Sequence, residues 1–243
     1  MKKLIIALIL ISIVINAGFG QSGEIKSITI STSYNNLLSN PEKKGMLDRI
    51  LTEVFKRIGV KTDIVYSSTA NSLVDVNKGL ADAEMNRIAG MESIYPNIVI
   101  VEEPNMIMEF VAFSKQQFDI DGWESIRNLE IGIVKGWKIY ENNTAGFPNV
   151  TFVPTEAELF RMLDKNRIDI ALYSKLTGYS HIKEKGYSGI FHLQPPLAEK
   201  AMYLYLHKSK AALAEPAAES LRQMKEDGTY QKIVKDLTKD FNE

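Results

Sequence analysis

Twice along this chain a β-type run is followed by a helix-type run and then by another β-type run, and that alternation constrains the fold more than any other feature. Residues 25–32 are dominated by Ser, Thr and Ile and read as a strand, and 34–44, with Asn, Ser and Pro, read as a loop. Over 46–58 the apolar residues Leu47, Ile50, Leu51, Val54, Phe55 and Ile58 recur at three- and four-residue steps, and Gly59 supplies a stop. Residues 61–66 alternate as a second strand, 71–78 read as a short helix ended by Gly79, and 82–85 is strand-like. Such a succession predicts a parallel sheet with crossover helices.

The pattern is then repeated with different residues. The second set begins after 109–113, where Ile131–Val134 reads as a strand that stops at Lys135, Gly136 and Trp137 before a helix over Lys138–Asn143. Val150–Val153 is the next strand, and Thr155 with Glu158 three residues on predicts a reciprocal capping pair for a helix striped by Leu159, Met162 and Leu163. Residues 168–172 read as a buried strand, 201–207 as another, and 211–241 as two helices divided at Asp227 and Gly228. Those last helices have no place in the second set. The chain is therefore expected to return to the first, crossing near 107–114 and again near 193–207, and two crossings make a hinge.

Lys2 and Lys3, the apolar run 4–15 and the small residues Gly18 and Gly20 have the three-part pattern of a secretory signal peptide cut before Gln21. The run is short of the roughly 20 residues needed to span a bilayer. The expected division is 1–20 signal peptide, 21–110 with 195–243 the first lobe, and 111–194 the second. With no cysteine in the chain, disulfides, thiolate nucleophiles, cysteine zinc sites and a lipoprotein acylation site are excluded. The formal charge of −1 becomes −3 without Lys2 and Lys3, and charges of both signs are interspersed, so neither nucleic acid nor an anionic membrane is an expected partner. His181, His192 and His207 are widely spaced, consistent with surface or cleft-edge positions, and no catalytic elbow or phosphate loop is present. No metal, cofactor or catalytic residue is expected.

Five stretches, in order, resemble the extracellular solute-binding proteins of family 3, which serve polar amino acid importers: GMLDRILTEVFKRIGV from Gly45, VNKGLADAE from Val76, LEIGIVKGWKIYE from Leu129, ELFRMLDKNRIDIAL from Glu158 and MKEDGTYQKIV from Met224. The resemblance covers nearly all of the chain beyond the signal peptide. It implies a two-lobed α/β protein of the type II periplasmic binding protein fold, each lobe a mixed, mainly parallel sheet flanked by helices. The implied ligand lies in the interlobe cleft of a periplasmic monomer and passes to an ABC permease. A two-lobed sensor that reports its ligand to a membrane kinase or receptor is one alternative, and, since a few similar proteins are dehydratases of cyclic amino acid precursors, an enzyme of that kind is another.

Strand-end loops and helix N-termini face the crevice of an open α/β sheet, which locates the candidate residues. Tyr34 follows the first strand, where the resemblance implies an aromatic ring against the ligand; the alternative is a loop tyrosine packed on its own lobe. Ser67, Ser68, Asn71 and Ser72 lie between the second strand and its helix, one expected as an N-cap and another as a ligand contact. Arg87, expected just after a strand, carries the fork that pairs with a carboxylate; the alternative is a surface ion pair with Glu84 or Glu92. The resemblance implies that Gly136 donates to a ligand carboxylate and places Trp137 where similar proteins have a small hydroxyl residue, so Trp137 reads as a flat ligand contact or a lid packed on its own lobe. Tyr173 and Ser174 complete the candidate ligand-binding set. Ser174 stands where similar proteins carry the aspartate that neutralises an α-ammonium group, which favours a carboxylate-bearing ligand other than an ordinary α-amino acid; Glu84, Glu141 or Glu156 are the possible substitutes.

Overall fold

A computed structural model of the chain describes residues 25–68 and 71–239. The expected signal peptide, 1–20, lies outside the described residues. Strand β1 (Ser27–Thr32) buries Ile28 and Ile30, and helix α1 (Met46–Arg57) buries Met46, Leu47, Ile50, Leu51, Val54 and Phe55 along the stripe its spacing predicts. Each such side chain contributes roughly 1.5–3 kcal/mol relative to exposure. The carboxylate of Asp48 closes the start of α1, accepting from the Gly45 amide at 2.9 Å and the Ser39 hydroxyl at 2.7 Å. Then come β2 (Lys61–Tyr66), α2 (Ser72–Asn77), β3 (Ala83–Ile88), β4 (Ile98–Ile100) and the long β5 (Met106–Ser114). The second set is β6 (Ile131–Val134), α3 (Lys138–Asn143), β7 (Val150–Val153), α4 (Glu156–Asp164), β8 (Ile170–Ser174), α5 (Lys175–Lys185) and β9 (Phe191–His192). The chain ends its described course with β10 (Ala198–His207), α6 (Ala214–Glu226) and α7 (Thr229–Thr238).

The strands run in the order β2-β1-β3-β10-β5-β8-β6-β7, with β4 added to β10 and β9 to β5. At one end β2, β1 and β3 are parallel, and at the other β8, β6 and β7 are parallel. Between them β5 and β10 pair antiparallel from Phe110↔Ala198 to Met106↔Met202, while the second half of β5 pairs β8 from Phe110↔Ser174 to Ser114↔Ile170. The two crossings are thus neighbouring strands that make one sheet continuous through the hinge. Helices α6 and α7 return to the first lobe: Ala217, Ala218, Leu221 and Met224 are buried in the core that contains α1, and the Ser220 hydroxyl donates to the Val54 carbonyl at 2.9 Å.

Four expectations are corrected. Arg87 lies inside β3, not after it. The strand read at 168–172 is displaced two residues, so Ser174 is its last residue and the cap of α5. That helix carries no continuous apolar stripe to announce it in the sequence: Gly178 sits mid-helix, where an added Cβ would meet the Phe113 ring at 2.4 Å. At α4 only half of the capping pair forms. Thr155 Oγ1 accepts from the Glu158 amide at 3.2 Å, but the Glu158 carboxylate turns outward to Arg161, whose Nη2 donates to it at 2.6 Å.

Candidate functional site

On the first lobe, the register of β3 against β10 slips by one residue: Arg87 pairs Tyr203, whereas Glu84 pairs Tyr205. The extra residue in β3 is a bulge, and a bulge changes the alternation of side chains. Glu84 and Arg87, three apart, consequently meet, with Arg87 Nε 2.9 Å from Glu84 Oε1. The alternative ion pair is therefore formed, yet it is no surface pair, since Glu84 is 1% exposed. Arg87 Nη2 also donates to Ser72 Oγ at 3.4 Å. Burial pushes the Glu84 carboxyl up to about 7, against the lowering pull of Arg87. Among the described residues the second oxygen of Glu84 has no hydrogen-bond partner though it is buried, and neither has the hydroxyl of Ser31, its register neighbour on β1.

Beside this pair, Asn105 Nδ2 donates to the Met85 carbonyl at 2.8 Å and to Asn86 Oδ1 at 3.4 Å, which turns Asn86 Nδ2 toward the Tyr34 hydroxyl at 3.3 Å. Burial raises the Tyr34 pKa, with Arg87 opposing. Tyr34, Glu84, Asn86, Arg87 and Ser72 therefore form one cluster. Ser67, Ser68 and Asn71 do not join it. The Ser67 hydroxyl donates to Asp75 at 2.9 Å, the Ser68 carbonyl accepts from the Asn71 and Ser72 amides, and exposed Asn71 holds the N-cap position of α2 without a side-chain capping bond. The capping expected of Asn71 or Ser72 is not made.

On the second lobe, Gly136 adopts φ +98°, and its amide donates to Glu141 Oε1 at 2.6 Å while Lys138 holds the same carboxylate. Lys138 and then the Gly136 amide hold the Glu141 pKa below its usual range. The chain's own anion occupies the donor that was expected to meet a ligand carboxylate. Trp137 lies on its own lobe, 4.6 Å from Tyr173 and 5.7 Å from Tyr140 between ring centroids. Tyr173 and Ser174 are buried, and the Ser174 hydroxyl is hydrogen-bonded to Thr177. Burial, and next the charge of Glu156, raise the Tyr173 pKa, with a smaller contribution from Tyr34 across the cleft.

Between the 35–42 loop of the first lobe and α4, β8 and α5 of the second lies a cavity of about 340 Å³, with Asn35, Glu42, Glu156, Tyr173, His181 and Glu184 in its wall. His181 is buried there, not at the surface, packed 5.3 Å from the Phe160 ring, and burial lowers its pKa. His192 is buried as well, sharing a hydrogen bond with the Tyr179 hydroxyl at 2.6 Å. Residue types alone do not mark Ser31, Asn86 or Asn105; the one local signal for Glu84 is a carboxylate between the apolar Ala83 and Met85. Among the described residues no His, Asp and Glu group is arranged for a metal, and no helix is long and apolar enough to cross a membrane.

No family model matches the chain. An uncharacterized protein of Shewanella oneidensis is 24% identical over 208 residues, covering 80% of this chain and 76% of that protein. The L-cystine-binding protein TcyA of Bacillus subtilis is 22% identical over 197 residues, covering 76% and 69%. Among solved structures, an ancestral arginine-binding protein bound to glutamine superposes with a TM-score of 0.70 at 16% identity, over 87% of this chain and 97% of that one. A histidine kinase sensor domain with similarity to periplasmic binding proteins reaches 0.74 at 15% identity, over 88% and 96%.

Proposed function

We propose that this chain, which has the type II periplasmic binding protein fold of the family 3 solute-binding proteins, is a periplasmic binding protein that captures a small polar molecule by hinge closure and passes it to an ABC importer. The observation that carries this reading is the buried Glu84–Arg87 pair beside Tyr34 on the first lobe, with Tyr34 close enough to Tyr173 on the second lobe to raise its pKa. Charge and hydrogen-bonding groups that are buried in a wall and face a second wall are suited to a ligand enclosed on both sides. The first lobe is assigned to 21–110 with 195–243 and the second to 111–194. The change of partner at Phe110, from Ala198 on β10 to Ser174 on β8, supports that division.

The ligand's anionic group is assigned to the Arg87 guanidinium, with Tyr34 and Trp137 as flat contacts. A ligand gripped by both lobes binds the closed form better and shifts the population toward it. A thermal-shift screen of metabolites on the mature protein, followed by X-ray scattering with and without a hit, tests this. The radius should shrink at saturation, and an unchanged radius counts against a closing cleft.

The likeness to a kinase sensor domain supports a second reading, in which the same closure is reported to a membrane receptor. A permease and an ATPase encoded beside this chain favour transport, and a histidine kinase favours sensing.

A further inference from the structure

We propose that Glu84 and Arg87 form an exchangeable ion pair: a ligand carboxylate takes the guanidinium from Glu84, and Glu84 takes up one proton as the ligand binds. The inference rests on the binding reading above and deepens it by coupling capture to proton uptake.

The geometry has three parts. The bulge in β3 holds Glu84 against Arg87 at 2.9 Å, beside Tyr34, with the Arg87 side chain 21% exposed. Among the described residues one oxygen of Glu84 is engaged, by Arg87, and the other is buried with no hydrogen-bond partner. Among the described residues, the groups that face it from neighbouring elements add no second positive charge. They are the Ser31 hydroxyl on β1, Tyr34 beyond β1, Ser72 on α2, and Tyr205 on β10, whose own hydroxyl is turned to Glu92 and the Ile88 carbonyl. Asp75 on α2 is occupied by Ser67.

Bringing a second carboxylate to Arg87 places two negative charges on one guanidinium in a poorly solvated site. Like charges that close do not both stay ionised, and one of the pair gains a proton. Glu84 is the one to gain it: its pKa already stands near 7, raised by burial, and losing Arg87 removes the interaction that opposed the rise. The proton comes from solvent, and Glu84 becomes a neutral carboxylic acid. The net charge of the site is unchanged by binding.

The test is titration calorimetry of the mature protein with L-arginine, L-cystine, L-glutamine, succinate and agmatine in buffers of different ionisation enthalpy. For a carboxylate that binds, the buffer dependence should report close to one proton taken up at pH 8 and close to none at pH 5.5, with affinity falling about tenfold per pH unit above 7. Glu84→Gln should bind the same ligand without proton uptake and with a flat pH profile. In the ligand-free protein, carbon-labelled glutamate followed by NMR should show one carboxyl titrating near 7, absent in Glu84→Gln and moved higher in Arg87→Met. Carboxylate binding with no proton uptake, or uptake that survives in Glu84→Gln, overturns the exchange while leaving the binding reading intact. Agmatine as the only binder does the same, since it carries no carboxylate. No saturable binding by any of the five, with no carboxyl titrating near 7, overturns both.

Discussion

Trp137 lies 4.6 Å from Tyr173 between ring centroids, tilted by 33°, so the bulky residue that follows Gly136 is a fixed part of the second lobe's wall. It also stacks on Tyr140 and meets the edge of Phe110. Trp137→Ala should cost about 2–4 kcal/mol in urea unfolding, less than a fully buried tryptophan, and Trp137→Phe should recover most of it. A loss below about 0.5 kcal/mol would mean that these rings do not support the wall.

Glu84 gives stability a pH dependence of definite sign. Its folded pKa is raised to about 7 from an ordinary 4.5, so the folded protein holds the proton more tightly than the unfolded chain. That contribution is fully present below pH 4.5, is lost as pH rises toward 7, and is constant above it. Chemical denaturation from pH 4.5 to 8 should show this decline for the wild type and a smaller one for Glu84→Gln. Equal slopes for the two would remove Glu84 as its source.

Gly178 has no room for a methyl group, because a Cβ would stand 2.4 Å from the Phe113 ring. Gly178→Ala should therefore destabilise by about 1–3 kcal/mol despite alanine's better helix propensity, and adding Phe113→Leu should return part of the loss. A gain in midpoint denaturant for the single variant would show that α5 shifts freely on β5.

The return of the C-terminal helices depends on burial more than on charge. Leu221→Ala, at a position 1% exposed, should cost about 2–4 kcal/mol. Arg57→Ala, which removes a partly exposed contact to Asp227 at 2.7 Å, should cost under about 1 kcal/mol. The reverse order in matched denaturation curves would contradict this account of the docking.

Elements bounded by local signals were legible in the sequence. Strands β6 and β7 and helix α3 fall on the residues expected, because Gly136 and Trp137 separate strand from helix and short apolar runs mark the strands. The destination of α6 and α7 followed from their surplus apolar faces. The site was less legible, because its key geometry is a slip between β3 and β10, strands over a hundred residues apart, and no local pattern encodes it. For the same reason the sequence alone puts Arg87 past its strand and its ion-pair partner at the surface. Gly136 was the right residue type for an anion-binding turn, but whether a ligand or Glu141 fills that turn depends on a side chain five residues on.

The crossing strands β5 and β10 are hydrogen-bonded to each other from Phe110↔Ala198 to Met106↔Met202. The closure proposed above cannot be two independent loops swivelling. It must twist a two-stranded ribbon whose bonds resist shear, as a leaf spring resists folding while yielding to torsion. The opening angle is then set by how much extra coil that ribbon tolerates, spread over many small dihedral changes. A single glycine substituted into either strand should soften the motion gradually, without creating a pivot.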